Sequence, residues 1–244
     1  MYTRCATALL VPLLGATALV AQTPTPVPVL APTPGTILYP QAMTPWATKK
    51  AFGFSLLAMP AAIVQEAAAL RWPLFSLDVV MGLPRNFLLA GTVSTQVVTN
   101  HLEVGVHWVA GVTDRLHADV GLGGAYWFGQ LKSFGFDNTI HGTFLYPSAS
   151  VGYDFGTMAL TAQAKATYVS SLTATSGSVE SMSERNVFDG MSYRVALEQP
   201  FGKHSTIGLA VQVNHLQFYY PQWPLFPAFG HRFWVPEAQI RVTL

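Results

Sequence analysis

Apolar and polar residues alternate along residues 102–112. Every second residue from Leu102 to Val112 is apolar, and the positions between them include Glu103 and His107. The alternation stops at residues 113–115 and resumes from Leu116 to Phe128. Successive side chains of an extended strand point to opposite faces, so this pattern predicts a β-hairpin with one apolar face.

The same alternation recurs from residue 50 onward and predicts ten strands. Their expected ranges are 51–59, 72–82, 87–98, 102–112, 116–130, 141–154, 158–171, 191–199, 206–218 and 231–244. Each range has apolar residues at every second position, which is typical of strands that are buried or lipid-facing on one side. The expected fold class is therefore all-β.

The connections between these strands also alternate, in length. The links after strands two, four, six and eight are compact: LPRN, TDR, FGT and PFGKHS. The links after strands one, five, seven and nine are longer, among them residues 173–190, and the short TNH after strand three is an exception. Short turns at one end with an even strand number are typical of transmembrane barrels, whose closure satisfies every backbone polar group in lipid. We expect an antiparallel up-and-down transmembrane β-barrel of about ten strands over residues 50–244, with eight strands as the alternative.

Over residues 50–244 the chain resembles the small β-barrel proteins of the bacterial outer membrane as a class. The resemblance rests on pattern and not on a diagnostic motif. It implies insertion into outer-membrane lipid and recognition of the final QIRVTL by the barrel-assembly machinery. Such strands most often end in an aromatic residue, whereas this one ends in Leu244.

Residues 1–21 have the composition of a signal peptide. Arg4 supplies a positive charge, residues 6–20 are mostly apolar, and small residues near Ala18 and Ala21 offer a cleavage site. A single anchoring helix is the alternative, although the apolar run is short and contains Pro12. Cys5 is the only cysteine of the chain, so removal of this segment would leave no thiol or disulfide.

Residues 22–49 are rich in proline through residue 45 and are expected to form an extended periplasmic leader. Segments of this kind serve as plain tethers or as ligands for a protein partner, and both roles stay open here. The outer loops offer a second surface for a protein partner.

Overall composition agrees with a lipid-facing exterior. The chain is 50% hydrophobic and only 10% charged, against roughly 25% charged residues in a typical soluble domain. Its net charge of +1 argues against a nucleic-acid partner, which requires a basic face.

Polar and charged residues at the opposite positions of the strands should face the lumen. The charged and histidine members of this predicted network are Asp78, Glu103, His107, Asp119, Lys165, Arg194, Glu198, Glu237 and Arg241. Eight strands enclose an interior that side chains already fill, and aqueous channels need about sixteen. Ten strands with inward acids, bases and bulky Trp127 and Tyr146 therefore predict a largely plugged lumen with ion pairs across it.

Aromatic residues on the apolar faces predict two interfacial girdles. Those near the short turns are Phe87, Tyr153 and Phe155, and those near the long loops are Tyr126, Phe128, Tyr168 and Tyr193. Trp108 is expected midway along its strand, outside both girdles.

The chain offers little chemistry for catalysis. Its seven histidines are scattered without the compact spacing of a zinc site, and we expect no cofactor, no metal and no assigned catalytic residue. His204 and Ser205 are adjacent in a predicted turn, where neighbouring side chains point apart. Asp137, His141, Glu180 and Glu184 lie near the predicted outer rim, where an omptin-like protease would carry its acids and histidine.

Two classes of function follow from this sequence. The first is a non-enzymatic barrel with a structural or interaction role, or one that passes small solutes slowly. The alternative is a lipid-modifying or proteolytic enzyme of the outer membrane with an active site at the rim.

Overall fold

The computed structural model describes residues 36–57, 73–96, 98–132, 137–202, 205–218 and 231–244. Ten antiparallel strands form a closed barrel in which each strand pairs with its neighbours in sequence, and β1 pairs with β10. The ten-stranded prediction is confirmed, and the eight-stranded alternative is wrong. The strands are β1 Thr48–Leu57, β2 Leu74–Gly82, β3 Phe87–Thr95, β4 Thr99–Gly111, β5 Leu116–Leu131, β6 Asn138–Asp154, β7 Ala159–Ser176, β8 Val179–Phe201, β9 Ser205–Leu216 and β10 Phe233–Thr243. No helix in these ranges is long and apolar enough to cross a membrane.

The barrel has an apolar outside and a polar inside because the alternation of each strand continues through the closed sheet. On β4, Val104 and Val106 are 58% and 44% exposed on the outer face, whereas His101 on the inner face is buried. Exposed large apolar side chains occur on all ten strands. These residues form the surface that a bilayer would cover.

The links β2–β3, β4–β5, β6–β7 and β8–β9 lie at one end of the barrel, together with the start of β1 and the end of β10. We call this end the turn end and the opposite end the loop end. In the β2–β3 turn, a short 3-10 helix spans Pro84–Asn86, and Arg85 and Asn86 adopt positive φ angles of 62° and 63°.

The β7–β8 connection differs from the prediction. Residues 173–190 were expected to form a long loop, but β7 continues to Ser176 and β8 starts at Val179, so the two strands form an extended hairpin. Gly177 takes a φ of 59° in the tight turn, a conformation that glycine adopts without steric cost. The strands continue because Leu172, Ala174 and Met182 are buried on one face, which the polar sequence between them obscured.

The residues of both predicted aromatic girdles are exposed on the outer surface, from 38% for Phe87 to 52% for Phe155. The prediction for Trp108 is wrong. Trp108 is the tenth of the 13 residues of β4, not its midpoint, and it pairs with Phe87 at the start of β3. The midpoint differs because β4 starts at Thr99, three residues before its expected start.

Residues 1–35, the link between β1 and β2 at residues 58–72, and most of the link between β9 and β10 lie outside the described residues.

Candidate functional site: the barrel lumen

Residues 36–41 form a compact loop inside the turn end of the barrel, which we call the lumen loop. Gln41 Nε2 donates a hydrogen bond to Thr36 Oγ1 at 3.1 Å, which brings the two ends of the loop together. Lys49 Nζ, near the start of β1, donates to the carbonyl oxygen of Thr36 at 3.0 Å. Thr36 and Tyr39 are only 2% and 4% exposed, so the barrel wall encloses the loop.

The lumen loop binds one carboxylate of the barrel wall through its backbone. Three successive N–H groups, those of Ile37, Leu38 and Tyr39, donate to Glu198 at 2.7, 3.1 and 2.8 Å. Glu198 is 2% exposed, on the inner face of β8. Bent backbone segments whose amides converge on one point bind anions, and hydrogen bonds to a charged acceptor are stronger than neutral ones. This contact holds the loop at a defined depth in the lumen.

The phenol of Tyr39 makes a second contact with the wall. Its hydroxyl donates to the carbonyl oxygen of Arg115 at 3.1 Å and lies 2.6 Å from Nδ1 of His117. Burial, and secondly the negative charge of Asp154, raise the pKa of Tyr39 to about 12. The phenol therefore stays neutral at any physiological pH.

Gly152 makes room for the lumen loop on the inner face of β6. A Cβ atom at this position would lie 2.6 Å from Cδ of Pro40 and 2.6 Å from Cδ2 of Tyr39, closer than real Cβ contacts. The absence of a side chain at Gly152 is thus required for the seated loop.

Two ion pairs lie in the middle of the lumen. Lys165 Nζ is 3.2 Å from Glu103 Oε2 and 4.5 Å from the centre of the Tyr146 ring. Arg241 Nε is 2.9 Å from Asp78 Oδ2, and Asp78 also accepts a hydrogen bond from Thr92 at 2.8 Å. The first pair joins β7 to β4, and the second joins β10 to β2.

His107 and Asp119 form a third polar contact, between β4 and β5. His107 Nδ1 lies 3.0 Å from Asp119 Oδ1, and the other oxygen of Asp119 accepts a short hydrogen bond from Ser150. The imidazole lies over Gly121, where a Cβ atom would collide with it.

Arg194 and Glu237 have neutral partners. Arg194 Nη2 donates to Gln163 Oε1 at 2.6 Å, and Glu237 Oε1 accepts from Gln239 Nε2 at 2.9 Å. Among the described residues Arg194 has no carboxylate within ion-pair distance, because its neighbours in the β7–β8–β9 register are Gln163 and Gln212. The expected pairing of inward acids and bases therefore occurs for Lys165 and Glu103, but not for Arg194 or for Glu198, which binds the lumen loop.

All nine residues of the predicted lumen network thus lie on the inner wall: eight of them border one cavity, and the ninth, Glu198, contacts Ile37, which also borders it. Sequence reasoning did not find the lumen loop, whose residues were assigned to an extended leader. No local pattern in the sequence links this segment to the inner wall.

Apolar side chains fill the loop end of the lumen. Trp127 and Phe144 are 2% and 3% exposed, and their rings lie 5.7 Å apart. The Tyr146 ring stacks on Phe144, and its hydroxyl lies 2.9 Å from Nε2 of His101. The buried cluster comprises Ala125, Trp127, Ile140, Phe144, Tyr146, Val169, Leu172, Ala174, Met182 and Phe218.

A cavity of about 210 Å³ lies between the lumen loop and this apolar cluster. Residues 37–40 border it on one side and Trp127, Phe144 and Tyr146 on another, with Lys165, Arg194 and Arg241 on its walls. No group of three or more potential metal ligands occurs among the residues that the structure describes. Polar and apolar side chains of the barrel wall both line the cavity, which we call the lumen chamber.

The rim residues considered for catalysis do not form a common site. Asp137 lies 3.7 Å from Lys132, and both side chains are more than half exposed. In the described part of the chain no hydrogen bond or ion pair joins His141 to Glu180 or Glu184, which lie on the extended β8 strand. His204 falls outside the described residues.

A closed antiparallel barrel with an apolar exterior and polar side chains on its inner wall is the architecture of outer-membrane β-barrel proteins. No protein-family model matches the chain, and no curated protein matches its sequence. Solved structures with a similar fold include Ail, the attachment invasion locus protein of Yersinia pestis, at 8% identity and a TM-score of 0.39, covering 82% of this chain and 100% of that one. The NanC porin is 9% identical with a TM-score of 0.41, covering 81% and 99%. Outer membrane phospholipase A from Escherichia coli is 11% identical with a TM-score of 0.38, covering 80% and 89%. Similarity at this level assigns neither a family nor a role.

Proposed function

We propose that the protein is a closed outer-membrane barrel with a structural or interaction role, and that any passage of solutes through it is slow. One observation carries the proposal: the lumen loop is bound to Glu198 through three backbone hydrogen bonds at the turn end of the lumen. The two ion pairs and the apolar cluster occupy part of the lumen above it. Paired charges in a poorly screened interior hold one another in the bore.

The β7–β8 hairpin is the surface that we assign to interaction. Residues 179–190 of β8 continue past its last pair with β9, Met191 with His215, whereas β6 accompanies β7 to Ser176, and Val179 near the tip of the hairpin is 65% exposed. Its polar outer residues keep it soluble outside the bilayer. A protein partner at this hairpin, at the leader or at the outer loops is compatible with the closed lumen, because none of these surfaces requires an open bore.

Planar-bilayer recordings test the closed lumen. Wild-type protein should show little conductance. Replacing Lys165 and Arg194 together with Ala removes two long side chains and frees Glu103, so conductance should rise and favour cations. Lys132→Ala with Arg185→Ala is a matched control that deletes the same two residue types at exposed positions. Large, steady wild-type openings that the Lys165 and Arg194 substitutions leave unchanged would contradict the proposal and favour a porin.

The alternative of a rim enzyme has a separate test. Hydrolysis of phospholipid and of a peptide library by the purified barrel in detergent should stay at the background rate. Turnover that Asp137→Asn or His141→Ala abolishes would replace the proposed role with an enzymatic one.

A further inference from the structure

We infer that the lumen chamber is a binding site for one small oxyanion, held by Arg194. The anion is a carboxylate of metabolite size or inorganic phosphate. This inference rests on the proposed closed barrel and assigns a ligand to the space that remains in its lumen.

Arg194 is the cation of the chamber that no described carboxylate contacts within ion-pair distance. Lys165 and Arg241, the other two cations on the wall, each contact a carboxylate. Arg194 has one hydrogen bond, to the neutral Oε1 of Gln163. A guanidinium group carries five N–H donors, so most of the donors of Arg194 have no partner among the residues described.

The acids of the chamber, in contrast, all receive hydrogen bonds from the protein. Glu103 accepts from Lys165, and Asp78 accepts from Thr92 and Arg241. Asp119 accepts from Ser150, and Glu237 accepts from Gln239. Each carboxylate of the chamber therefore has a donor, whereas the hydrogen bond of Arg194 goes to one neutral acceptor, Gln163.

The geometry around Arg194 suits a bound anion. The planar guanidinium fork matches the two oxygens of a carboxylate or phosphate. Ser192, two positions away on the same face of β8, is 5% exposed and lines the same chamber with a hydroxyl donor.

The chamber has room for the ligand. A volume of about 210 Å³ accommodates an anion of the size of acetate or phosphate. The lumen loop and the cluster around Trp127 both border the chamber.

The test is an equilibrium titration of the full protein in detergent, with the anion present during refolding so that entry past the lumen loop is not limiting. Carbon-13-labelled acetate and inorganic phosphate are used separately, and line broadening of each anion's own NMR signal reports binding. Wild type should bind at least one of the two saturably, with one site per chain. Arg194→Gln should weaken that binding at least fivefold, whereas Arg185→Gln, the same change on the exposed hairpin, should leave it unchanged.

The two anions distinguish the sources of the ligand. Preference for acetate assigns an organic acid, and preference for phosphate assigns inorganic phosphate. Absence of saturable binding by either anion overturns the inference, as does a loss of less than fivefold in Arg194→Gln or an equal loss in Arg185→Gln. Circular dichroism shows whether each variant has refolded. If Arg194→Gln does not refold, Arg194→Met takes its place. Since this titration is independent of conductance, its failure and the failure of the closed-lumen proposal are separate results.

Discussion

The backbone N–H of Tyr39 donates a hydrogen bond to the carboxylate of Glu198 at 2.8 Å, across 159 residues of sequence. Tyr39 precedes the first strand, and Glu198 lies on the eighth. Both groups are buried, with exposed fractions of 4% and 2%. This contact joins a segment outside the sheet to the inner wall of the barrel, and it is the reason that the turn end of the lumen is occupied.

Glu198→Gln should release the lumen loop. The amide keeps one acceptor oxygen, but it loses the negative charge and directs N–H donors at the loop's own N–H groups. Loss of about 2 kcal/mol, within the range for hydrogen bonds to a charged group, corresponds to a more than tenfold change in the open population. We expect a thiol at Leu38→Cys, in a Cys5→Ser background, to react with maleimide at least ten times faster in the Glu198→Gln variant. Glu180→Gln on the exposed hairpin is the matched control, and equal rates in wild type and Glu198→Gln would show that the carboxylate does not hold the loop.

The phenol of Tyr39 should ionise near pH 12. A raised pKa in the folded state means that the neutral phenol stabilises the seated loop fully below the ordinary tyrosine pKa of about 10. That stability is lost as the pH rises through about 12. Ultraviolet absorbance titration of wild type minus Tyr39→Phe isolates this one group among nine tyrosines. A difference curve with its midpoint near 10 would place the phenol in water instead of against Arg115 and His117.

Gly152→Ala should displace the lumen loop without unfolding the barrel. The added methyl group would lie 2.6 Å from Pro40 and from Tyr39, so the loop has to shift away from the wall. We expect the midpoint of the Tyr39 titration to fall toward 10 in this variant, while circular dichroism stays that of a β-barrel. Gly124→Ala, where no atom lies within 4 Å of the added Cβ, should change neither quantity. An unchanged Tyr39 midpoint in Gly152→Ala would mean that the loop does not pack against β6.

Val106→Arg should destabilise the barrel more than His107→Arg. Val106 is 44% exposed on the outer surface, where arginine near the bilayer centre costs about 2–4 kcal/mol. His107 points inward to Asp119 at 3.0 Å, a carboxylate that arginine could also pair with. Reversible urea unfolding in liposomes measures the free energy of unfolding of both variants. Equal or inverted costs would show that the faces of β4 are assigned the wrong way round.

The strands could be predicted from the sequence because their signal is local. A period of two in hydrophobicity is contained within each strand, and a shift by one residue would turn the whole apolar set inward. The same alternation indicated that Glu103, Lys165 and Arg241 face the lumen. Strand ends were less accurate: Trp108 and residues 173–190 were misjudged because pairing continues wherever a neighbouring strand supplies partners, even through polar sequence.

The sequence by itself therefore determined the class of fold, the number of strands and the side of the wall on which each side chain lies. Only the closed tertiary structure decided the contacts inside the lumen. Closure brings together β8 and the segment before β1, so that Glu198 binds residues 37–39 and Gly152 admits Pro40. It also decided that Lys165 meets Glu103 while Arg194 meets Gln163. These pairings depend on the register between strands and on where the chain lies inside the lumen. The period of two in hydrophobicity within one strand determines neither of these.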